Sequence, residues 1–353
     1  PAPLRLREPS ALAAAALRLK ARTDYFVYEQ YEFFRQWAAV KRAVNRAGVR
    51  ILGDMPIYVS DDSCDVWAHP ELFQTDKNGG RRMVAGVPPD YFSPEGQLWG
   101  NPLYDWRAMK KTGYAWFIAR IKHNLMLYDA LRVDHFRALS AYWAVDAGAS
   151  TAIGGVWKKG PGTALFDALK KDVPHAPIIA EDLGIIDDNV KKLLKKCGFP
   201  GMKVFQFGFD GDKNNHHLPH TYPRNTVAYS ATHDNDTTLG WLCALPEGVR
   251  TRVLDYLNVP PGADWAAGAG RCLGTQAVGR ALLASSADLA ILPLQDLCGY
   301  GTDTRMNTPG TPAGNWRWRA TDAAIATVDT AYWRRMNDLF GRSGTAGFPS
   351  ELC

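Results

Sequence analysis

The sequence predicts an α/β fold, a parallel sheet whose strands alternate with covering helices. Three observations carry this. Six near-continuous apolar runs, each short enough for a buried strand, recur along the chain with helical patterns between them. The polar residues of these runs gather at the C-terminal ends: Asp54, Asp134, Glu181, Asp210, Asp234 and Asp296. No GxGxxG or GxxxxGK[ST] loop opens a helix, which disfavours a nucleotide-binding doubly wound sheet. A TIM barrel carries its active site at that end of its strands, and a doubly wound sheet also binds ligands there. A barrel needs eight strands. On that reading the first two lie upstream of Pro1, and a chain expressed without them exposes strand edges and dissolves poorly.

Taken in order, residues 1–23 are rich in Ala, Leu and Arg and helical in tone. Residues 24–47 carry Phe26, Tyr31, Phe34, Trp37 and Val40 at helical spacing, a pattern that reads as a core-facing stripe. Gly48 ends that helix, and Val49–Val59 reads as a strand running to a polar end at Asp54. Residues 60–107 lack a clear period, yet they hold too many aromatic and apolar side chains to be disordered. Tyr114, Phe117, Ile118, Ile121 and Leu125 mark a helix. The strand at Leu131–Arg137 follows it directly. A Gly-rich loop (Gly154–Gly162) leads to a helix with Leu165, Phe166 and Leu169. Further strands are read at Ala176–Leu183, Met202–Phe209, Thr226–Asp234 and Leu289–Leu297. Asp187 or Asp188 caps the helix carrying Val190, Leu193 and Leu194. Helical patterns fall at Val249–Leu257 and Thr275–Ser285, with a closing helix at Ala323–Leu339. The domain reading is a single barrel domain over 1–343, with 60–107 as an insertion and 344–353 as a frayed tail.

Composition excludes several classes. A 46% hydrophobic and 22% charged chain of 353 residues can bury a large core. The net charge of +5 is dispersed, and Lys170, Lys171, Lys191, Lys192, Lys195 and Lys196 fall on solvated helix faces rather than on a nucleic-acid stripe. The 6 cysteines form no CxxC pair, which suits a reducing compartment and not a zinc site or disulfide framework. No apolar run approaches a membrane span.

The stretch Leu131-Arg-Val-Asp-His-Phe-Arg137 holds four polar groups inside an apolar run. Strand alternation puts Arg132 and Asp134 on one face. Two readings compete there: a structural ion pair, or a nucleophile kept ionised by its arginine. Asp134, Glu181 and Asp234 at three strand ends favour the second, because converging carboxylates must separate their pKa values. Glu181, flanked by Ile178, Ile179 and Leu183, is the one whose pKa should rise. His233 beside Asp234 reads as a hydrogen-bond donor. A metal reading of His216, His217, His220 and His233 lacks HExxH spacing, and His216–His220 is read as a surface loop. In the insertion, Tyr91, Phe92, Trp99, Tyr104 and Trp106 interleave with Asp90, Gln97 and Asn101, a mixture that suits sugar rings. Tyr104 and Trp106 read as core, Gln97 and Trp99 as exposed.

With these segments in view, the chain resembles the 4-α-glucanotransferases (amylomaltases, or disproportionating enzymes), a branch of the α-amylase-like barrel enzymes. The matching segments are Gly53–Val59, Val84–Phe92, Gly96–Tyr104, Leu131–Arg137, Ala180–Gly184, Thr232–Thr238 and Arg305–Thr311, in family order. The resemblance implies a (β/α)8 TIM-type barrel lacking its first strands in this chain, with a long substrate-binding insertion after the Asp54 strand. It implies retaining transfer of α-1,4-glucan segments to the 4-hydroxyl of another glucan or of glucose. Asp134 would be the nucleophile, Glu181 the general acid and then base, and Asp234 with His233 the grip on the distorted sugar. Arg132 would hold the nucleophile ionised, Asp54 and Tyr58 would serve the donor side, Gln97 and Trp99 the acceptor side, and Asp210 and Asn307 would touch substrate. No metal or organic cofactor is implied, nor a nucleic-acid or membrane partner. The expected location is the cytoplasm or the plastid stroma. A hydrolase using the same carboxylates and a non-catalytic glucan-binding fragment are the alternatives.

Overall fold

A computed structural model describes residues 1–76, 79–89, 93–311 and 313–344. Asp90, Tyr91 and Phe92 of the insertion, and the tail beyond residue 344, lie outside the described residues. The chain divides into two compact units, Pro1–Phe199 and a second beginning at Pro200. Ten strands run through the described residues: β1 (Leu52–Met55), β2 (Met83–Val87), β3 (Gln97–Pro102), β4 (Ala130–Val133), β5 (Ala141–Asp146), β6 (Val156–Lys159), β7 (Ile178–Ala180), β8 (Gly201–Val204), β9 (Thr226–Tyr229) and β10 (Leu289–Ile291).

In the first unit β1, β4 and β7 form a parallel sheet in that order. Asp54 lies in register with Arg132, and Arg132 with Ile179. The strands are near-continuous apolar runs because they are buried; every residue of β4 and β7 is. Phe117 and Ile121 of the helix Ala115–Leu127 share one core with Leu131, Val133, Phe136, Ile178, Leu165, Phe166 and Leu169. Gly53 is required on β1, since a Cβ there would stand 2.1 Å from the Tyr128 ring. The second unit repeats the arrangement, with β9 between β8 and β10, all parallel. Its core gathers Phe205, Ala228, Leu242, Val253, Val278 and Leu282. All six strands read from apolar runs are therefore present, each shorter than its run, because the polar C-terminal residues leave the ladder for turns.

The sequence reading needs correction at four places. The insertion is not irregular: β2 and β3 join β5 and β6 in an antiparallel sheet ordered β3-β2-β5-β6. β6 lies inside the Gly-rich loop, and neither edge strand has a buried face strong enough to show as alternation. The long helix spans Lys20–Arg46, but none of its residues is buried. Phe26, Tyr31 and Val40 are exposed, because only part of the stripe meets a neighbour: Phe34 packs edge-on to His123, and Trp37 meets Tyr128 and donates to the Leu127 carbonyl. The closing helix is two, Asp322–Ala326 and Thr330–Leu339, because Thr321 and Asp329 each cap a fresh N-terminus. His216–His220 is only partly a surface loop: His217, Leu218 and Pro219 are buried, and the His217 Nδ1 accepts the Val204 N–H. The cap before Asp188–Cys197 is Asp187, which accepts from the Asn189 and Val190 N–H groups.

Candidate active site

The chemistry of the first unit begins at the C-terminal ends of β1, β4 and β7. Because Asp54 and Arg132 are in register on adjacent parallel strands, their side chains rise side by side. Arg132 is buried, and its fork joins two carboxylates: Nη1 reaches both Asp54 oxygens at 2.7 Å, and Nη2 reaches Asp134 Oδ1 at 2.8 Å. Burial alone would lower the arginine's pKa, but Asp134, Asp54 and Glu181 outweigh it and raise it. Asp134 leaves β4 with its N–H donating to the Met55 carbonyl at 3.0 Å, and its side chain stays 41% exposed. The Arg–Asp pair is thus real, and it leaves the Asp134 side chain partly exposed.

Glu181 follows β7 and is buried. Burial, then the neighbouring Asp134 charge, push its carboxyl up to about 7, against a smaller opposing pull from Arg132. Two backbone groups fix it: Oε2 accepts the His135 N–H and Oε1 the Leu183 N–H, each at 2.7 Å. The first bond depends on His135 taking a left-handed backbone, φ +47°, a conformation uncommon for a non-glycine residue and concentrated where structure constrains it. The His135 ring is held neutral, pushed down to about 3 by burial and then by Arg137.

The insertion supplies the aromatic wall of this unit. Trp99 stands edge-on to His135, ring centres 4.8 Å apart, and also meets Tyr58. Its indole N–H donates to the Gln97 Oε1 at 3.1 Å, so the two side chains brace each other at the surface. Tyr58 is buried and stacks on Tyr104, whose hydroxyl donates to the Ile57 carbonyl. Tyr104 and Trp106 are core, as read, and Gln97 and Trp99 are exposed, as read.

The second unit places His233 and Asp234 after β9 in a tight turn. Asn235 Oδ1 accepts from the Thr232 N–H and hydroxyl, folding the chain back on itself. His233 Nε2 lies 3.4 Å from Asp234 Oδ2. A second loop closes on this pair. Asn307 donates its amide to Asp234 Oδ1 at 2.6 Å and its backbone N–H to the His233 carbonyl. Arg305 donates to the Asp234 carbonyl at 2.6 Å. Asp210 is used differently: its oxygens accept from the Asp212 N–H and the Asn215 amide, holding its own loop. Buried Asp296 binds the turn from below, accepting the Ser230 and Thr238 hydroxyls and the Thr238 N–H.

The sequence reading thus named groups that the structure brings together within each unit: Asp54, Arg132, Asp134 and Glu181 in one, His233, Asp234 and Asn307 in the other. It missed the His135 N–H and Arg305. Arg305 stood in a recognised segment, but backbone acceptors leave no mark in sequence.

These features have counterparts elsewhere. The family model described as 4-alpha-glucanotransferase matches residues 1–325. The chloroplastic/amyloplastic 4-alpha-glucanotransferase of Arabidopsis thaliana is 47% identical over 345 residues, covering 97% of this chain and 58% of that protein. The 4-alpha-glucanotransferase of Synechocystis is 46% identical, over 95% of this chain and 65% of its own length. This chain therefore spans about three-fifths to two-thirds of these relatives. Among solved structures, the amylomaltase of Streptococcus agalactiae in complex with acarbose superimposes with a TM-score of 0.90 at 39% identity, over 97% of this chain and 67% of that one.

Proposed function

The chain belongs to the 4-alpha-glucanotransferase family, and from that premise we propose that it transfers α-1,4-glucan segments between glucans, or to glucose, with retention of configuration. Asp134 attacks the anomeric carbon as the C1–O4 bond breaks, and Glu181 passes its proton to the departing oxygen. The 4-hydroxyl of an incoming glucan or glucose then attacks the same carbon. Glu181 takes the hydroxyl proton, and the Asp134 carboxylate is released. Asp234 and His233 take hydroxyls of the distorted ring, with Asn307 holding Asp234. Asp54 and Tyr58 belong to the donor side, Gln97 and Trp99 to the acceptor side, and Asp210 to the substrate's periphery. The framework is of the TIM-barrel type, a reading supported by the strand–helix alternation and by the likeness to the amylomaltase structure. Of the expected locations, the chloroplastic/amyloplastic relative supports the plastid.

One observation carries the reading. Two carboxyl groups close enough to influence each other differ sharply in surroundings, Asp134 bound by Arg132 and half exposed, Glu181 buried and raised to about 7. That division is what an ionised nucleophile beside a protonated acid requires. The test is the product mixture from maltotriose: longer oligomers without a net rise in reducing ends indicate transfer. A steady rise in reducing ends would make the chain a hydrolase. Asp134→Asn should abolish both, and full residual turnover would remove Asp134 from its role.

A further inference from the structure

Trp316 is large, apolar and 53% exposed, yet it is held in an unfavourable conformation. Its backbone is left-handed, φ +60°, which a bulky residue adopts only where the surroundings impose it. The imposition is visible. The Trp316 N–H donates to the Met306 carbonyl at 2.7 Å. The loop before it is tied internally, with Asn315 Oδ1 accepting the Thr308 N–H and the Asn315 amide donating to the Thr311 carbonyl. The indole lies over the His233 ring, centres 5.0 Å apart and planes inclined by 42°. One loop therefore reaches the His233–Asp234 pair with two side chains, Asn307 on the carboxylate and Trp316 on the imidazole. In the first unit a tryptophan likewise stands against the histidine next to the acid, Trp99 meeting His135 edge-on beside Asp134.

We propose that Trp316 is a stacking platform for a glucosyl ring adjoining the ring held by His233 and Asp234, and so a determinant of glucan binding. The inference rests on the glucan-transfer reading and adds a residue to it. An uncharged polyol presents an apolar ring face, and burying an aromatic surface against that face removes both from water. The hydroxyls at the ring edge then meet His233 and Asp234. A rigid indole loses little freedom on binding, which is the use of fixing it beforehand.

The test compares Trp316→Ala, Trp316→Phe and a control, Tyr31→Ala, an exposed aromatic residue of the Lys20–Arg46 helix that lies outside these motifs and the insertion. Transfer kinetics with maltohexaose are read as KM and kcat, and maltohexaose affinity is measured by calorimetry on the same proteins. Trp316→Ala should raise KM and Kd about tenfold, with most of the loss in KM, and Trp316→Phe should recover most of it. The control should match wild type. Unchanged KM and Kd in Trp316→Ala, or a loss confined to kcat, would overturn the platform while leaving the transfer reading intact. A wild-type chain that neither binds nor transfers maltohexaose would overturn both.

Discussion

Replacing Glu181 by Gln should change how stability depends on pH more than it changes stability itself. The Glu181 carboxyl is raised from 4.5 to about 7, first by burial and then by Asp134. Between those values the unfolded chain gives up this proton and the folded chain keeps it, so unfolding becomes easier as pH rises. Below about 4.5 the group is protonated in both states, and above about 7 it is ionised in both. The gap is worth about 3 kcal/mol, lost by the wild type across that window. Gln cannot titrate and escapes the loss. It has its own cost, because both Glu181 oxygens accept backbone N–H groups and an amide can serve only one. That cost is about 1–3 kcal/mol and independent of pH. The raw difference at pH 8 is therefore small, and the slope is the diagnostic quantity. Thermal unfolding followed by circular dichroism at pH 4.5 and pH 8 would measure it. For a unit of about 200 residues the variant should gain roughly 6–12 °C relative to wild type between the two conditions. Parallel curves for the two proteins would refute the claim that Glu181 is buried and keeps its proton to near neutrality.

The same group sets a kinetic expectation: kcat/KM for transfer should fall about tenfold per pH unit above about 7, as the acid form disappears, and a flat profile to pH 9 would contradict it. Arg132→Met leaves Asp54 and Asp134 facing each other without their shared cation; transfer should fall by about 100-fold or more, and wild-type rates would show that the arginine does not position the nucleophile. Asp296→Ala strands the Ser230 and Thr238 donors beneath the His233–Asp234 turn; unfolding measurements should find a loss of about 3 kcal/mol, and a change under 0.5 kcal/mol, on the order of a neutral surface substitution, would contradict the anchoring role. Gly53→Ala drives a methyl into the Tyr128 ring; a cost of at least about 1–3 kcal/mol should appear in urea unfolding, whereas a neutral effect would mean that the ring swings aside.

Much of the site could be read from residue order because its makers obey local rules. Asp54, Asp134 and Glu181 stand out as charges ending apolar runs, and a core strand tolerates such groups only at its end. Strand alternation put Arg132 and Asp134 on one face, and the register of β1 with β4 then brought Asp54 to the same arginine. The antiparallel sheet was invisible for the opposite reason. β3 and β6 are edge strands with little burial, so their pairing owes more to backbone hydrogen bonds, which every residue can make, than to side-chain pattern. The aromatic stripe of Lys20–Arg46 shows the limit of periodicity: it revealed an apolar face but not how much of it this chain covers.

By itself, then, the sequence determined the α/β alternation, the acids at the strand ends and the kinship with the glucanotransferases, since hydrophobic period and motif order are written along the chain. Only the tertiary structure decided that the His135 backbone turns left-handed to hold Glu181, that one guanidinium serves two carboxylates, and that the loop carrying Asn307 and Trp316 closes on His233 and Asp234. Those arrangements depend on contacts between residues far apart in the chain. Their energy comes from burial and from backbone hydrogen bonds, neither of which is a property of any local segment.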